Sequence, residues 1–386
     1  MPRTGQPRIA VLGAGPIGLE AALYARRLGL TVTLYERGEV GEYITRWGHV
    51  RLFTPFGMNH TPLSADAIRR DQPQHHFPGP GDILTGHDYR ELYLLPLCLT
   101  GELCECIRLK TDVIAIGRAG LLRGDPAADP RRRTAPFRLL LRDDKHGEHS
   151  AEADVVLDCT GTYGRHNWLG DGGIPAAGER AAEAHIAYGL EDVLGKRKEH
   201  YAGRSVIVVG GGYSAATTVC NLATLAESYP ATWVIWLTRG PRPTPLPRSG
   251  SDPLRERDRL AARANSLATR GDGNVEHHAQ TMIEAVQSHG PDRGFRVVAR
   301  CAGRPMTWDV DRFIANIGYR PDRAMTTELH AMGSRQAEPN YFMLGAKGHT
   351  SAGGDFLLGD GFEQVRAVFA QIVGNPKLNL YEKKAA

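Results

Sequence analysis

Two glycine-rich turns, each set between a short apolar run and a helix-forming stretch, constrain this chain more than any other feature. Ile9-Ala10-Val11-Leu12 runs into Gly13-Ala14-Gly15-Pro16-Ile17-Gly18, and Ser205-Val206-Ile207-Val208-Val209 runs into Gly210-Gly211-Gly212-Tyr213-Ser214-Ala215. In such a strand–turn–helix the first glycine permits the tight turn, and the second lets the backbone approach a pyrophosphate. The third small residue lets the helix pack on the strand, and the helix N-terminus offers free N–H groups to phosphate. Gly13, Gly15 and Gly18 fill these places in the first turn, with Pro16 among them. Gly210, Gly212 and Ala215 fill them in the second, with Ser214 beside them. Two such turns in one chain argue for two bound dinucleotides, and hydride transfer between a nicotinamide and a flavin is the chemistry that needs both.

The strand downstream of each turn distinguishes the two sites. After the first, Thr31-Val32-Thr33-Leu34-Tyr35 reads as a strand ending at Glu36-Arg37. Glu36 lies 18 residues past Gly18, where a carboxylate accepts the hydroxyls of an adenosine ribose. After the second, Thr232-Trp233-Val234-Ile235-Trp236-Leu237 ends in Thr238-Arg239. A guanidinium there can pair with a 2′-phosphate in bidentate fashion, so the second site is expected to take NADPH in preference to NADH.

At 386 residues the chain is long enough for two domains, and its net charge of +4 is spread along it rather than concentrated. Clusters such as Arg131-Arg132-Arg133 read as solvated loop, so neither nucleic acid nor a membrane is expected as a partner. No apolar run approaches the ~18 residues of a membrane span, and the short polar stretch ahead of the first strand lacks the pattern of a signal peptide. Cytoplasmic residence is the expectation. The six cysteines, at 98, 104, 106, 159, 220 and 301, form no Cys-x-x-Cys pair, so neither a dithiol centre nor a metal site is expected. Cys104 and Cys106 read as small buried fillers.

The expected fold is α/β: an FAD-binding Rossmann-like domain with an inserted NAD(P)-binding Rossmann-like domain. Residues 1–165 form the first part of the FAD domain, 166–307 the NAD(P) domain with linkers, and 308–386 the second part of the FAD domain. Gly38 to Gly86 shows no sustained helical period and is long for an idle loop, which makes it a candidate active-site segment. Residues 88–99 read as a helix with Leu92, Leu95 and Leu99 on one side. Strands are expected at 112–116 and 137–141, with an exposed tip at 124–135. Buried strands are expected at 154–161, ending in Thr160-Gly161, and at 311–318, ending in Gly318. A last strand runs into Gly345, and a glycine-rich turn leads to a helix carrying Gln364.

Taken together, the 13–18 turn with Glu36, Cys159-Thr160-Gly161, the 210–215 turn and Gly318-Tyr319-Arg320-Pro321-Asp322 resemble the two-dinucleotide-binding-domain flavoproteins. Within them the chain is most similar to the flavin-containing and N-hydroxylating monooxygenases. Gly41 to Trp47 resembles their Gly-Gly-x-Trp segment beside the flavin ring, with Glu42 at the second glycine and three extra residues. Thr54-Pro55-Phe56-Gly57-Met58-Asn59 resembles a strand end that sets an asparagine amide near flavin N5. The resemblance thus implies FAD and NADPH as cofactors, O2 as oxidant and a small nitrogen- or sulfur-containing nucleophile as substrate. Asn59 would be the catalytic residue, with Trp47 and Phe56 walling the site and Lys347 and His349 at its mouth. The last helix would aim its N-terminus at the flavin pyrimidine. Asn59 is open to a second reading, as a cap of the following turn.

One departure separates the chain from that group. The Phe-x-Gly-x-x-x-His fingerprint ahead of the second turn is absent, and Ala184-His185-Ile186-Ala187-Tyr188-Gly189 stands in its place. Two alternatives remain open. One is a reductase passing electrons to a disulfide, a quinone or a partner protein, with Cys159 as a single thiol. The other is a nucleotide-binding sensor without turnover.

Overall fold

Val11 and Val208 are apolar, wholly buried and central, and each belongs to a strand with a parallel neighbour on both sides. The computed structural model describes residues 6–249, 252–271, 273–330, 338–349 and 356–382. Along the chain the strands are β1 (Arg8–Leu12), β2 (Thr31–Tyr35), β3 (Ile107–Arg108), β4 (Asp112–Arg118), β5 (Phe137–Asp143), β6 (Gly147–Ala153) and β7 (Val155–Asp158). Next come β8 (Ser205–Val209), β9 (Trp233–Leu237), β10 (Val275–His278), β11 (Thr281–Ser288), β12 (Phe295–Cys301), β13 (Arg304–Val310), β14 (Arg312–Ala315) and β15 (Tyr341–Met343). Two compact units result, one of Met1–Arg165 with Arg320–Ala386 and one of His166–Tyr319.

In the first unit a parallel sheet has the order β15-β7-β1-β2-β3. Side chains alternate along β1, and both faces are buried. Ile9 and Val11 face the helices Pro16–Arg27 and Leu358–Val373, where Tyr24 stacks on Phe369 at 5.1 Å. Ala10 and Leu12 face the antiparallel sheet β4-β5-β6 through Ile116, Phe137 and Leu139. A strand with two covered faces reads as a continuous apolar run, and this one does.

The second unit repeats the plan. Its parallel sheet has the order β10-β9-β8-β14. Val206 and Val208 pack toward the helices Tyr213–Ser228 and Arg255–Thr269, while Ile207 and Val209 pack toward the antiparallel sheet β11-β12-β13. The fold is therefore α/β, with two Rossmann-like units, the second inserted in the first. Because β14 pairs with β8, the second unit extends to Tyr319. Gly318 and the strand before it thus belong there, and the return expected at 308 comes at 320.

Three local expectations change. The stretch 38–86 holds a ten-residue helix, Pro62–Asp71, started by proline at its first turn and by a Thr61–Ser64 capping box. Over 88–99 a π-turn at Arg90–Leu94 shifts the facing, so Tyr89, Tyr93, Leu94 and Leu97 are buried while Leu92 and Leu99 are exposed. Finally, Arg132 is not solvated. It and Arg118 are buried and bracket the buried Glu338 at 3.2 and 2.8 Å, and Arg132 also donates to the carbonyls of Leu122, Asp125 and Pro126. The glycine-rich turn expected before the last helix falls largely at 350–355, outside the described residues.

Candidate functional site

In each parallel sheet the chain leaves one central strand toward one side and its neighbour toward the other, which opens a crevice at their C-terminal ends. In the first unit those strands are β1 and β7, and in the second β8 and β14. Both glycine turns sit at these points. Gly13 has φ +95°, and a Cβ on it would stand 2.9 Å from the carbonyl oxygen of Cys159 and 3.3 Å from Cα of Thr160. Gly210 has φ +143°, and a Cβ there would stand 2.3 Å from the carbonyl oxygen of Asn316. The first glycine of each turn is thus required by the neighbouring strand end.

The third position packs helix on turn. A Cβ on Gly18 would lie 1.8 Å from the Gly13 oxygen, whereas Ala215 already carries its methyl group beside Gly210. The middle glycines behave differently. Among the described residues, and apart from the chain neighbours, no atom lies within 4 Å of a Cβ built on Gly15, Gly211 or Gly212. These positions border open space at helix N-termini that have no side-chain cap and no acidic residue in the first turn. Pro16 opens the first helix, and Ser214 is exposed in the first turn of the second. Both cradles fit a pyrophosphate.

Around the first turn the structure assembles most of the expected residues. Glu36 is buried; its Oε2 accepts the Ala14 N–H at 2.7 Å and its Oε1 accepts the Gly38 N–H at 2.9 Å. Each oxygen keeps a lone pair for a ribose hydroxyl. Gly41 donates its N–H to the Ala14 oxygen at 3.0 Å, which fixes the short helix Glu42–Arg46 against the turn. Trp47 ends that helix, faces Tyr163 at 6.4 Å, and keeps a buried Nε1–H with no partner among the described residues. Arg37 is exposed, with its guanidinium 5.2 Å from the Tyr43 ring centre. Gly345, at φ +70°, donates its N–H to Gln364 Oε1 at 2.6 Å, and Ile17 lies 3.5 Å from its Cβ position. Gly161, at φ +66°, has no described residue beyond its chain neighbours within 4 Å of its Cβ position.

Two expected residues are placed elsewhere. Asn59 is 1% exposed, its Nδ2 donates to the Thr54 oxygen at 3.0 Å, and its Oδ1 accepts the Thr54 hydroxyl at 2.7 Å. It ends the turn Phe56–Met58 with its amide closed back on Thr54, and the helix that follows is capped by Thr61 instead. Phe56 is likewise interior, stacked on His60 at 4.4 Å and edge-on to Tyr93 at 5.7 Å, so it walls no site.

Around the second turn, Arg239 Nη2 donates to the carbonyls of Leu169 at 2.9 Å, Gly170 at 3.1 Å and Trp168 at 3.3 Å. Its Nε and Nη1 carry no other hydrogen bond among the described residues. One edge of the guanidinium is anchored and the other is presented. Thr238 next to it meets His277 at 2.9 Å, whose pKa burial lowers to about 4, so that imidazole is neutral. Gly318, at φ +78°, packs on Asn167 within the same unit.

Sequence reading missed a buried ionic cluster behind Thr160. Lys347 Nζ lies 2.6 Å from Asp158 Oδ2 and 3.1 Å from the Thr160 hydroxyl, and Tyr341 donates its hydroxyl to Asp158 at 2.5 Å. Lys347 is therefore interior and not at a mouth; His349 meets Phe356 at 5.7 Å. A lone aspartate at the end of the apolar run 155–157 was the available signal. Burial first, and the Asp158 carboxylate next, push the Cys159 thiol well above its ordinary pKa.

Two three-layer units, each with a glycine turn at its switch point, make up the fold of the two-domain FAD/NAD(P) Rossmann oxidoreductases. The family described as pyridine nucleotide-disulphide oxidoreductase matches residues 8–41. Among solved structures, the bacillithiol disulfide reductase Bdr of Bacillus cereus is 16% identical with a TM-score of 0.68, covering 96% of this chain and 99% of its own. The ornithine N-hydroxylase of Kutzneria sp. 744 is 15% identical with a TM-score of 0.67, covering 96% and 99%. Thioredoxin reductase of Lactococcus lactis is 15% identical with a TM-score of 0.60, covering 96% and 100%. The comparison with curated proteins gives no match. Among the described residues, no helix is long and apolar enough to cross a membrane.

Proposed function

We propose that the protein is an FAD-dependent oxidoreductase that takes hydride from NADPH and delivers the electrons to O2, oxygenating a small nitrogen- or sulfur-containing nucleophile. The observation that carries the two-cofactor reading is the pair of equivalent cradles at Gly15 and Gly212, each open where a Cβ would stand and each at a switch point. FAD, when bound, supplies the hydride acceptor and the reaction with oxygen. The chain's own residues bind and orient. The Gly13–Gly18 turn and its helix would hold one pyrophosphate, and Glu36 the ribose. Trp47 Nε1–H is a buried donor with no partner among the described residues. The Gly210–Ala215 turn would hold the second pyrophosphate, with the free edge of Arg239 on a 2′-phosphate.

The cysteines favour oxygen over a thiol relay. All six are free, and the one at a strand end, Cys159, carries a thiol whose raised pKa makes it a poor nucleophile. The Kutzneria structure carries reduced FAD, NADP+ and ornithine by its description, which makes a primary amine the first substrate to try. The amide of Asn59 is closed on Thr54, so this reading assigns it no contact with a bound flavin.

Stopped-flow spectroscopy tests the proposal. Flavin reduced by NADPH should react with O2 through a transient distinct from both oxidised and reduced flavin, and amine or sulfide substrates should gain one oxygen by mass spectrometry. Reoxidation without a transient or product, together with turnover on a disulfide or quinone that Cys159→Ser abolishes, would establish the reductase instead. A protein that NADPH fails to reduce would be a sensor.

A further inference from the structure

The hairpin that joins β5 to β6 carries three metal-ligating side chains that nothing in the nucleotide sites uses. Asp143 closes β5, His146 sits in the turn, and His149 follows on β6. Asp143 pairs with Gly147 and Leu141 with His149, so Asp143 and His149 occupy one face of a regular antiparallel ladder. Gly147 takes φ +63° to close the turn.

Both oxygens of Asp143 meet the His146 ring, and Oδ1 is also tied to the backbone. Oδ1 accepts the backbone N–H groups of Lys145 at 2.9 Å and His146 at 2.6 Å, which holds the carboxylate in place. Oδ2 is 3.1 Å from His146 Nδ1 and 3.8 Å from His149 Nε2, and Oδ1 lies equally 3.1 Å from His146 Nδ1. One ligand atom from each of the three residues lies within 4.8 Å of the others. With metal–nitrogen and metal–oxygen bonds of about 2.0–2.1 Å, the edge of a tetrahedral ligand set is roughly 3.4 Å, the scale of these separations. Without an ion, the His146–Asp143 contact is an ordinary turn hydrogen bond at 3.1 Å. That contact, which His146 Nδ1 makes to both oxygens, does not require a second imidazole to approach the same carboxylate. Residues 143–149 hold three acidic groups against one lysine, so the turn favours a cation.

We propose that Asp143, His146 and His149 form a binding site for a divalent transition ion of the zinc class, with one carboxylate oxygen, two imidazole nitrogens and the remaining position open to water. Two histidines and a carboxylate suit zinc and similar borderline ions better than calcium or magnesium, which take oxygen ligands. The oriented Oδ1 is the outer-shell support that such a ligand needs. The ion would staple β5 to β6 at the tip of the hairpin. The ladder runs seven residues from Phe137 and Ala153 to that tip, on the order of 20 Å at about 3.3 Å per residue.

The test is a Zn2+ titration of the chelator-treated full chain by calorimetry, repeated with Co2+ and read by visible absorption. One ion per chain with micromolar affinity or better is expected. His146→Ala and His149→Ala should each weaken binding at least tenfold, and the exposed His185→Ala should leave it unchanged. Zn2+ should raise the thermal midpoint of the parent and not that of His149→Ala, whose ion-free unfolding should match the parent. Absence of saturable binding, parental affinity in His149→Ala, or a thiolate–cobalt band that persists in both histidine variants would overturn the assignment.

Discussion

Lys347 Nζ lies 2.6 Å from Asp158 Oδ2, with both side chains at 1% exposure or less, at the strand end that carries Thr160 and Gly161. Breaking a buried pair from one side leaves an uncompensated charge, which costs about 3–5 kcal/mol. Lys347→Met should therefore lower unfolding stability by roughly that amount. Asp158→Asn on the same background should restore most of it, because the remaining groups can hydrogen-bond a neutral amide. Urea unfolding of the three variants checks this; a Lys347→Met loss under about 1 kcal/mol would show that the pair holds nothing.

The glycines of the first turn should separate binding from folding. Gly15→Val places its Cβ where no described residue beyond its chain neighbours lies within 4 Å, so the variant should unfold like the parent yet purify without FAD. Gly18→Val drives its Cβ to 1.8 Å from the Gly13 oxygen and should lose both flavin and stability. Parental flavin content in Gly15→Val would remove the first cradle from the cofactor site.

Arg239 has a held edge and a presented one. Arg239→Ala should raise KM for NADPH about ten- to a hundredfold, the equivalent of roughly 1.5–3 kcal/mol for a charge-assisted contact, with a much smaller effect on NADH. Steady-state flavin reduction with both nucleotides measures it. Equal losses would assign Arg239 only to tethering the carbonyls of residues 168–170.

Glu20 is buried on the helix Pro16–Arg27, with Oε1 accepting from the Thr61 hydroxyl at 2.9 Å and Oε2 unbonded among the described residues. Burial raises its pKa from 4.5 to about 7. The folded protein then holds a proton there that the unfolded chain has released, so this group's contribution to stability is full below pH 4.5 and is lost as pH rises toward 7. Glu20→Gln should be near parental at pH 4.5 and more stable than the parent at pH 8, by up to about 3 kcal/mol. Unfolding at the two pH values checks the sign.

Asn59→Ala should act on the fold. Losing both amide bonds to Thr54 inside the protein should cost roughly 1–3 kcal/mol, while NADPH-driven flavin reduction and the yield of oxygenated product stay parental in the folded fraction. A parental stability with uncoupled peroxide release would return Asn59 to the flavin.

The glycine turns, the apolar runs of β1, β7, β8 and β14, and the positions of Glu36 and Arg239 could be read directly, because each depends on local geometry or on period. The strand β6 could not, since one of its faces is polar and exposed, which removes the apolar signal. The π-turn at Arg90–Leu94 escaped because one extra residue per turn moves the buried stripe off a 3.6-residue period. Arg132 in a run of three arginines gave no sign that Glu338, 206 residues away, would bury it.

By itself the sequence determined the two α/β units and the glycine turns that open their first helices, since backbone conformation and strand burial leave those residue types little choice. Tertiary structure alone decided which side chains face a ligand. It closed the Asn59 amide on Thr54, drew Lys347 onto Asp158, carried the second unit on to Tyr319 through the β14–β8 pairing, and gathered Asp143, His146 and His149 at one hairpin. Hydrogen bonds and ion pairs are settled by separations of an ångström or less, and spacing along a chain does not record distances of that size.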